Sequence, residues 1–314
     1  MASLPPNILD QQAANKRNTI VVMVVFTAFT GFLGFGVDEF ILGSDLPLAT
    51  LLALGIGAGT AYWGLANGAA TVLSSSSAQP ISPDDPGARQ LRNIVEEMTI
   101  ASGLPMPQLY VIPDPDPNAF ATGKDPDHAC IAVTQGLLDK LNREELQAVV
   151  AHEMSHVRNY DTRMMTVVAA LAGAVMLLSE FGLRTMRFGG GGRKRDRSGL
   201  GAFVLVLWLV AMVLAPLVLR LLSMAVSRQR EYLADSSGAE LTRNPLALAS
   251  ALEKIDSAVE PTRSIKKGTG HLCIADPLGR NVNSKEGALA DLFATHPPIH
   301  KRIMLLKAMA YQPA

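Results

Sequence analysis

His152 and His156 stand four residues apart in "AVVAHEMSHVRNYD" (148–161), with Glu153 between them. On a helix, positions i and i+4 share one face, so both imidazoles can turn a ring nitrogen toward one ion. Imidazole suits zinc, and a catalytic zinc keeps three protein ligands and one water. Zinc brings the pKa of its water toward ~7. Glu153, one residue round the helix from His152, can take that water's proton during attack on a carbonyl and pass it to the leaving amine. His-Glu-x-x-His is the short signature of this chemistry.

A third ligand is available in "SRQREYLADSSGAELTRNP" (227–245), where Glu231 and Asp235 are again four apart. Glu231 can complete a His-His-Glu set. Asp235 can accept the outer N–H of a ligand imidazole and so fix its tautomer. The same two patterns also suit amphipathic helices with solvated side chains, the acidic pair lying beside Arg228 and Arg230.

The elements that must hold these residues are unusually apolar. Of the 314 residues, 48% are hydrophobic and 18% charged, against roughly a quarter charged in an ordinary soluble domain. Acidic and basic residues balance at 28 each, so charge gives no sign of nucleic-acid binding. Two cysteines, Cys130 and Cys273, make no disulfide framework and suit a reducing compartment.

Residues 18–37 and 46–66 are charge-free runs of about the 20 residues that a membrane-crossing helix needs. The first follows Lys16 and Arg17 but is too long for a signal-peptide core and lacks an Ala-x-Ala site. Asp38, Glu39 and Asp45 lie between the runs. The positive-inside rule then puts the N-terminus in the cytoplasm. Residues 1–73 thus read as a membrane hairpin and 74–87, "SSSSAQPISPDDPG", as a polar linker.

Residues 88–163 read as globular. "ARQLRNIVEEMTIASGL" has helical spacing, and "QLYVI", "NAFATG" and "CIAVT" are short β-type runs between turn signals. "GLLDKLNREELQAVVAHEMSHV" reads as two helices, the second capped near Asn142. A second hairpin is expected over 164–227, with spans at 164–183 and 199–221, before a final globular part at 228–314. Its tip carries Arg184, Arg187, Arg193, Lys194, Arg195 and Arg197. If both runs span, this basic loop faces outside, against the positive-inside bias. Two spans are nonetheless expected, because the first helices usually dominate orientation.

With these pieces in order, the chain resembles the HtpX-type integral-membrane zinc metallopeptidases and, more distantly, the Ste24 CAAX proteases. The matching segments are "PNAFATG" (117–123), 148–161, "RQREYLADSSGAELTRNPLALASALEKI" (228–255) and "FATHPPIHKRI" (293–303). The resemblance implies a mainly α membrane protein with about four transmembrane helices. It adds a cytoplasmic α+β zincin-type domain with a small β-sheet. It implies one zinc on His152, His156 and Glu231, with Glu153 as base. Asn118, Ala119, Phe120, Ala121, Thr122 and Gly123 become an edge strand on which a substrate backbone pairs. His296 is given a role near the metal, either holding the oxyanion or blocking zinc as a removable ligand, and Arg302 joins it. His128, His271 and His300 are left as ordinary surface histidines.

The function implied is an endopeptidase of the cell (inner) membrane, multi-pass, with its site on the cytoplasmic side. It would cut damaged or misassembled membrane proteins in quality control. Its partners would be polypeptides in or near the bilayer, lipid, and membrane protease or chaperone complexes. A CAAX-type processing protease and a non-catalytic scaffold are the alternatives. Glu153 speaks against the scaffold, which needs no base.

Overall fold

The structure is a computed structural model, and its described residues are 8–43, 45–82, 88–171, 230–258, 262–265, 269–276 and 297–311. A four-stranded sheet lies at the centre of the globular part, in the order β1-β2-β4-β3. β2 (Gln108–Ile112) and β4 (Cys130–Thr134) are the "QLYVI" and "CIAVT" runs and pair in parallel. Every residue of β4 is buried, as a continuous apolar run requires of an inner strand. β3 (Ala119–Thr122) is antiparallel to β4 and stands last in the sheet order. The other edge is β1, Gln79–Pro80, inside the stretch expected to be linker. A two-residue edge strand tolerates Pro80, which has no N–H to donate.

Helices cover the sheet. α3 (Arg89–Ser102) buries Leu91, Ile94, Val95 and Met98, one helical face. After α4 (Gln135–Lys140), α5 (Arg143–Arg158) begins at a capping box. Asn142 Oδ1 accepts from the Glu145 N–H, and Glu145 Oε2 accepts from the Asn142 N–H, both at 2.9 Å. The Glu145 carboxylate also accepts from Ser250 Oγ at 2.7 Å and Lys254 Nζ at 2.6 Å. These two lie on α8 (Pro245–Asp256), so one side chain starts α5 and fixes its neighbour.

The first hairpin is α1 (Ile8–Gly36) and α2 (Leu48–Ser75), joined through a π-helical turn at Val37–Leu42. Both are long and apolar enough to cross a membrane. Asp38 is buried at the turn, where its carboxylate accepts from the N–H groups of Ala49 and Thr50 at 2.9 and 2.8 Å. It therefore caps α2 and complements that helix's positive end. Gly57 lets the two helices touch, since a Cβ there would lie 2.0 Å from Thr30 Oγ1. α1 starts ahead of its charge-free run because its polar first turns find partners beside α5, described below. α6 (161–171) packs Val167 and Leu171 against Phe26 of α1 and Ala61 of α2. The remainder of the expected span at 164–183, and the span at 199–221, lie outside the described residues.

Candidate active site

His152, Glu153 and His156 are all buried on α5. Glu231 and Asp235, buried as well, lie on α7 (230–242), which packs against α5. Gly238 permits that approach, because a Cβ there would stand 3.0 Å from the backbone nitrogen of His152 and 3.1 Å from its Cα. Burial answers the solvated alternative: both acidic side chains are almost fully enclosed.

The two imidazoles sit edge to face, their centroids 4.8 Å apart. His152 Nε2 is 3.7 Å from Glu231 Oε2, and His156 Nε2 is 3.5 Å from Glu231 Oε1. Ligand atoms at ~2.1 Å in a tetrahedral arrangement stand about 3.4 Å apart, so these separations fit one zinc-sized ion. Among the described residues His152 Nε2 is buried with no hydrogen-bond partner in the protein, which suits a metal bond. Among those residues, His152, His156 and Glu231 form the one such grouping of ligand atoms.

Each ring's outer nitrogen faces a carboxylate. His152 Nδ1 is 3.0 Å from Asp235 Oδ1, and His156 Nδ1 is 3.0 Å from Asp161 Oδ2. Such contacts select the tautomer that turns Nε2 toward a metal. The Asp235 partner was legible from its spacing. Asp161 was not, although it lies only five residues past His156. Its side chain returns to the ring through the turn at Asn159 and Tyr160, the latter left-handed at φ 59°.

Arg302, on α9 (Ile299–Ala310), is fully buried. Its Nε and Nη2 each donate to Asp235 at 2.7 Å, and its Nη1 lies 3.1 Å from Glu231 Oε2. Nη1 also donates to the Ile274 carbonyl at 2.8 Å. Asp235 would be pushed up by burial, but the fork of Arg302 prevails and holds it below the usual carboxylate range. Glu153 moves the other way. Burial raises it, and the nearby Glu231 charge adds to that, against the two histidines and the Ala121 N–H, which favour its charged form.

Residues 118–123 are buried around β3. Asn118 Nδ2 donates to Thr262 Oγ1 and to the Ala275 carbonyl, both at 3.1 Å. Ala119 C=O accepts from the Ile274 N–H at 2.9 Å, so one end of the outer edge is already paired within the chain. The Gly123 N–H donates to Thr166 Oγ1 at 3.3 Å. His296 lies outside the described residues. His271, expected at the surface, is instead buried, its Nε2 at 3.1 Å from the Met165 carbonyl. Cys273, two residues on, bridges Phe120 at the outer edge of β3, and Leu272 and Cys273 join the buried cluster around Phe120. His128 and His300 are exposed.

A model of Peptidase family M48 matches residues 87–310. The chain belongs to that family. It is 49% identical over 239 residues to the Protease HtpX homolog of Caldanaerobacter subterraneus subsp. tengcongensis, covering 76% of this chain and 77% of that one. It is 42% identical over 306 residues to the Protease HtpX homolog of Ligilactobacillus salivarius, covering 96% and 100%. Among solved structures, a crystal structure of S. mikatae Ste24p is similar at 17% identity and a TM-score of 0.43, over 79% of this chain and 58% of that chain. Family M48 membership and the buried His152, His156 and Glu231 cluster make the protein a metallopeptidase.

Proposed function

We propose a zinc-dependent endopeptidase of the membrane, with His152, His156 and Glu231 as ligands and Glu153 as general base. The observation that carries this is three buried ligand atoms within 4.8 Å of one another beside a buried carboxylate. When bound, zinc supplies acidification of a water and polarisation of the scissile carbonyl. Glu153 accepts the proton of the attacking water on its carboxylate and delivers it to the departing amine nitrogen. Asp235 Oδ1, 3.0 Å from His152 Nδ1, favours the tautomer that turns the Nε2 lone pair inward. Arg302 is a positioning residue: it holds Asp235 with two bonds and offsets the charge of Glu231.

An extended substrate would add to β3 beyond its bridge between Phe120 and Cys273, next to Ala121. In this reading the chain is multi-pass, with spans at 18–37, 46–66, 164–183 and 199–221 and the site on the cytoplasmic side. The apolar outer faces of α1 and α2 support a location in lipid. Its substrates are then polypeptides in or near the bilayer, and degradation of misassembled membrane proteins fits that position. Similarity to proteins named Protease HtpX homolog supports the peptidase part of this reading. The test is zinc content together with cleavage of a model membrane protein, wild type against Glu153→Gln. The variant keeps about one zinc per chain and loses roughly 10²–10⁴-fold in turnover. Wild-type rates in Glu153→Gln would overturn the mechanism.

A further inference from the structure

We propose that Asp161 is a positioning residue for the metal ligand His156, and that Asn15 on the first membrane helix sets Asp161. This rests on the reading of His156 as a ligand.

Asp161 is buried, so its charge must be compensated. Its Oδ2 faces His156 Nδ1 at 3.0 Å, and its Oδ1 accepts from Asn15 Nδ2 at 2.7 Å. Arg230 Nη1 lies 3.6 Å from Oδ1, one residue before the ligand Glu231. The arrangement mirrors the other ligand, where Asp235 faces His152 Nδ1 at the same 3.0 Å and Arg302 holds Asp235. Each imidazole thus has a carboxylate behind it and a third group behind the carboxylate. For His152 that third group comes from α9, and for His156 it comes from α1.

The turn that returns Asp161 to His156 is gripped by one face of α1. Gln12 Nε2 donates to the Arg158 carbonyl at 2.8 Å, and Asn15 Nδ2 donates to the Asn159 carbonyl at 2.8 Å. Lys16 Nζ sits 3.9 Å above the centre of the Tyr160 ring. Tyr160 is left-handed, at φ 59°, a conformation that residues with a Cβ rarely adopt. Positions 12, 15 and 16 share one side of a helix. A tether alone would need only the bonds to carbonyls. The amide of Asn15 donates to Asn159 and to the Asp161 carboxylate as well, which ties helix position to the orientation of His156.

The test uses the full chain in micelles, stripped of metal, with zinc affinity read by competition against a chelator. Asp161→Ala weakens affinity by ~10–100-fold, the usual cost of losing such a carboxylate. Asn15→Ala weakens it several-fold. Combined with Asp161→Ala it adds no further loss, because Asn15 acts through Asp161. Gln12→Ala, which loosens the same turn without touching Asp161, leaves affinity unchanged. A purely structural role for Asn15 gives additive losses, or a loss shared by Gln12→Ala, and either result overturns the proposal. Unchanged affinity in Asn15→Ala does so as well. Where Asp161→Ala fails to fold, Asp161→Asn keeps the shape, removes the charge and is expected to weaken zinc in the same direction. If the wild type takes up no zinc, the ligand assignment itself has failed, and that is read before any variant.

Discussion

α5 and α2 are helices of the same chain with opposite habits. Twelve of the 16 residues of α5 are buried, and these include Glu145, His152, Glu153 and His156. α2 is nearly twice as long, at 28 residues, yet six are buried, three of them glycines. Leu48, Leu51, Leu52, Ile56, Tyr62 and Trp63 of α2 face outward. One region hides charge and the other displays hydrocarbon. In water both choices would cost free energy. They are reconciled if α2 meets lipid while α5 receives, from the chain itself, a partner for each buried charge.

The sharpest way to break the contrast is to remove a partner from the buried side. Arg302→Met takes away the guanidinium that bridges Asp235, Glu231 and the Ile274 carbonyl. Removing one member of a buried ion pair typically costs ~3–5 kcal/mol, because the other charges stay buried. Thermal unfolding in micelles should fall accordingly, and zinc affinity with it. A variant as stable as wild type would mean that Asp235 and Glu231 are not held by Arg302.

How far the sequence reveals this half depends on chain distance. The candidate ligand cluster was legible because His152 and His156, and then Glu231 and Asp235, repeat at helical spacing. Asn142 as a cap and the strands at 108–112 and 130–134 were legible for similarly local reasons. Asn15 and Asp161 are 146 positions apart, and no periodicity relates them. Arg302 was given a role with His296 near the metal, but a basic residue in a late motif does not reveal that it pairs with carboxylates 67 and 71 positions earlier. Asp38 read as a loop charge, and only its position under Ala49 and Thr50 makes it a cap. Period and caps report what a helix is, whereas burial of polar groups reports what it meets.

A second prediction sharpens the buried side through pH. In the metal-free site, burial pulls the His156 proton affinity down, but Asp161 and Glu231 outweigh it and push the group up to about 10. The sign follows from linkage. A folded value above the unfolded 6.5 contributes stability that is fully present below 6.5 and is lost as pH rises through about 10. Metal needs the neutral ring, so binding must expel that proton, and zinc affinity rises with pH across the same window by up to about tenfold per unit. The metal-free protein thus becomes less stable as its affinity grows. Chelator competition and unfolding, each measured from neutral to mildly alkaline pH, check both slopes. A flat affinity profile would show that His156 is already neutral in the metal-free protein.

The smallest expected effect is on the displayed hydrocarbon, and it probes the other half of the contrast. Leu52 on α2 is 66% exposed, whereas Leu248 on α8 is fully enclosed at 0%. Truncating an enclosed leucine to alanine costs ~2–5 kcal/mol, since contacts are lost and a cavity remains. Leu52 has little to lose. In a bilayer its neighbours are acyl chains before and after the helices associate, so no transfer from water drives its packing. Leu52→Ala, measured in lipid nanodiscs, should shift stability by less than ~0.5 kcal/mol, the range of a surface change. Leu248→Ala in the same discs supplies the large reference. A Leu52→Ala loss approaching the Leu248→Ala value would mean that this face of α2 is packed against protein. α2 would then be an interior helix, and the contrast between the two regions would collapse.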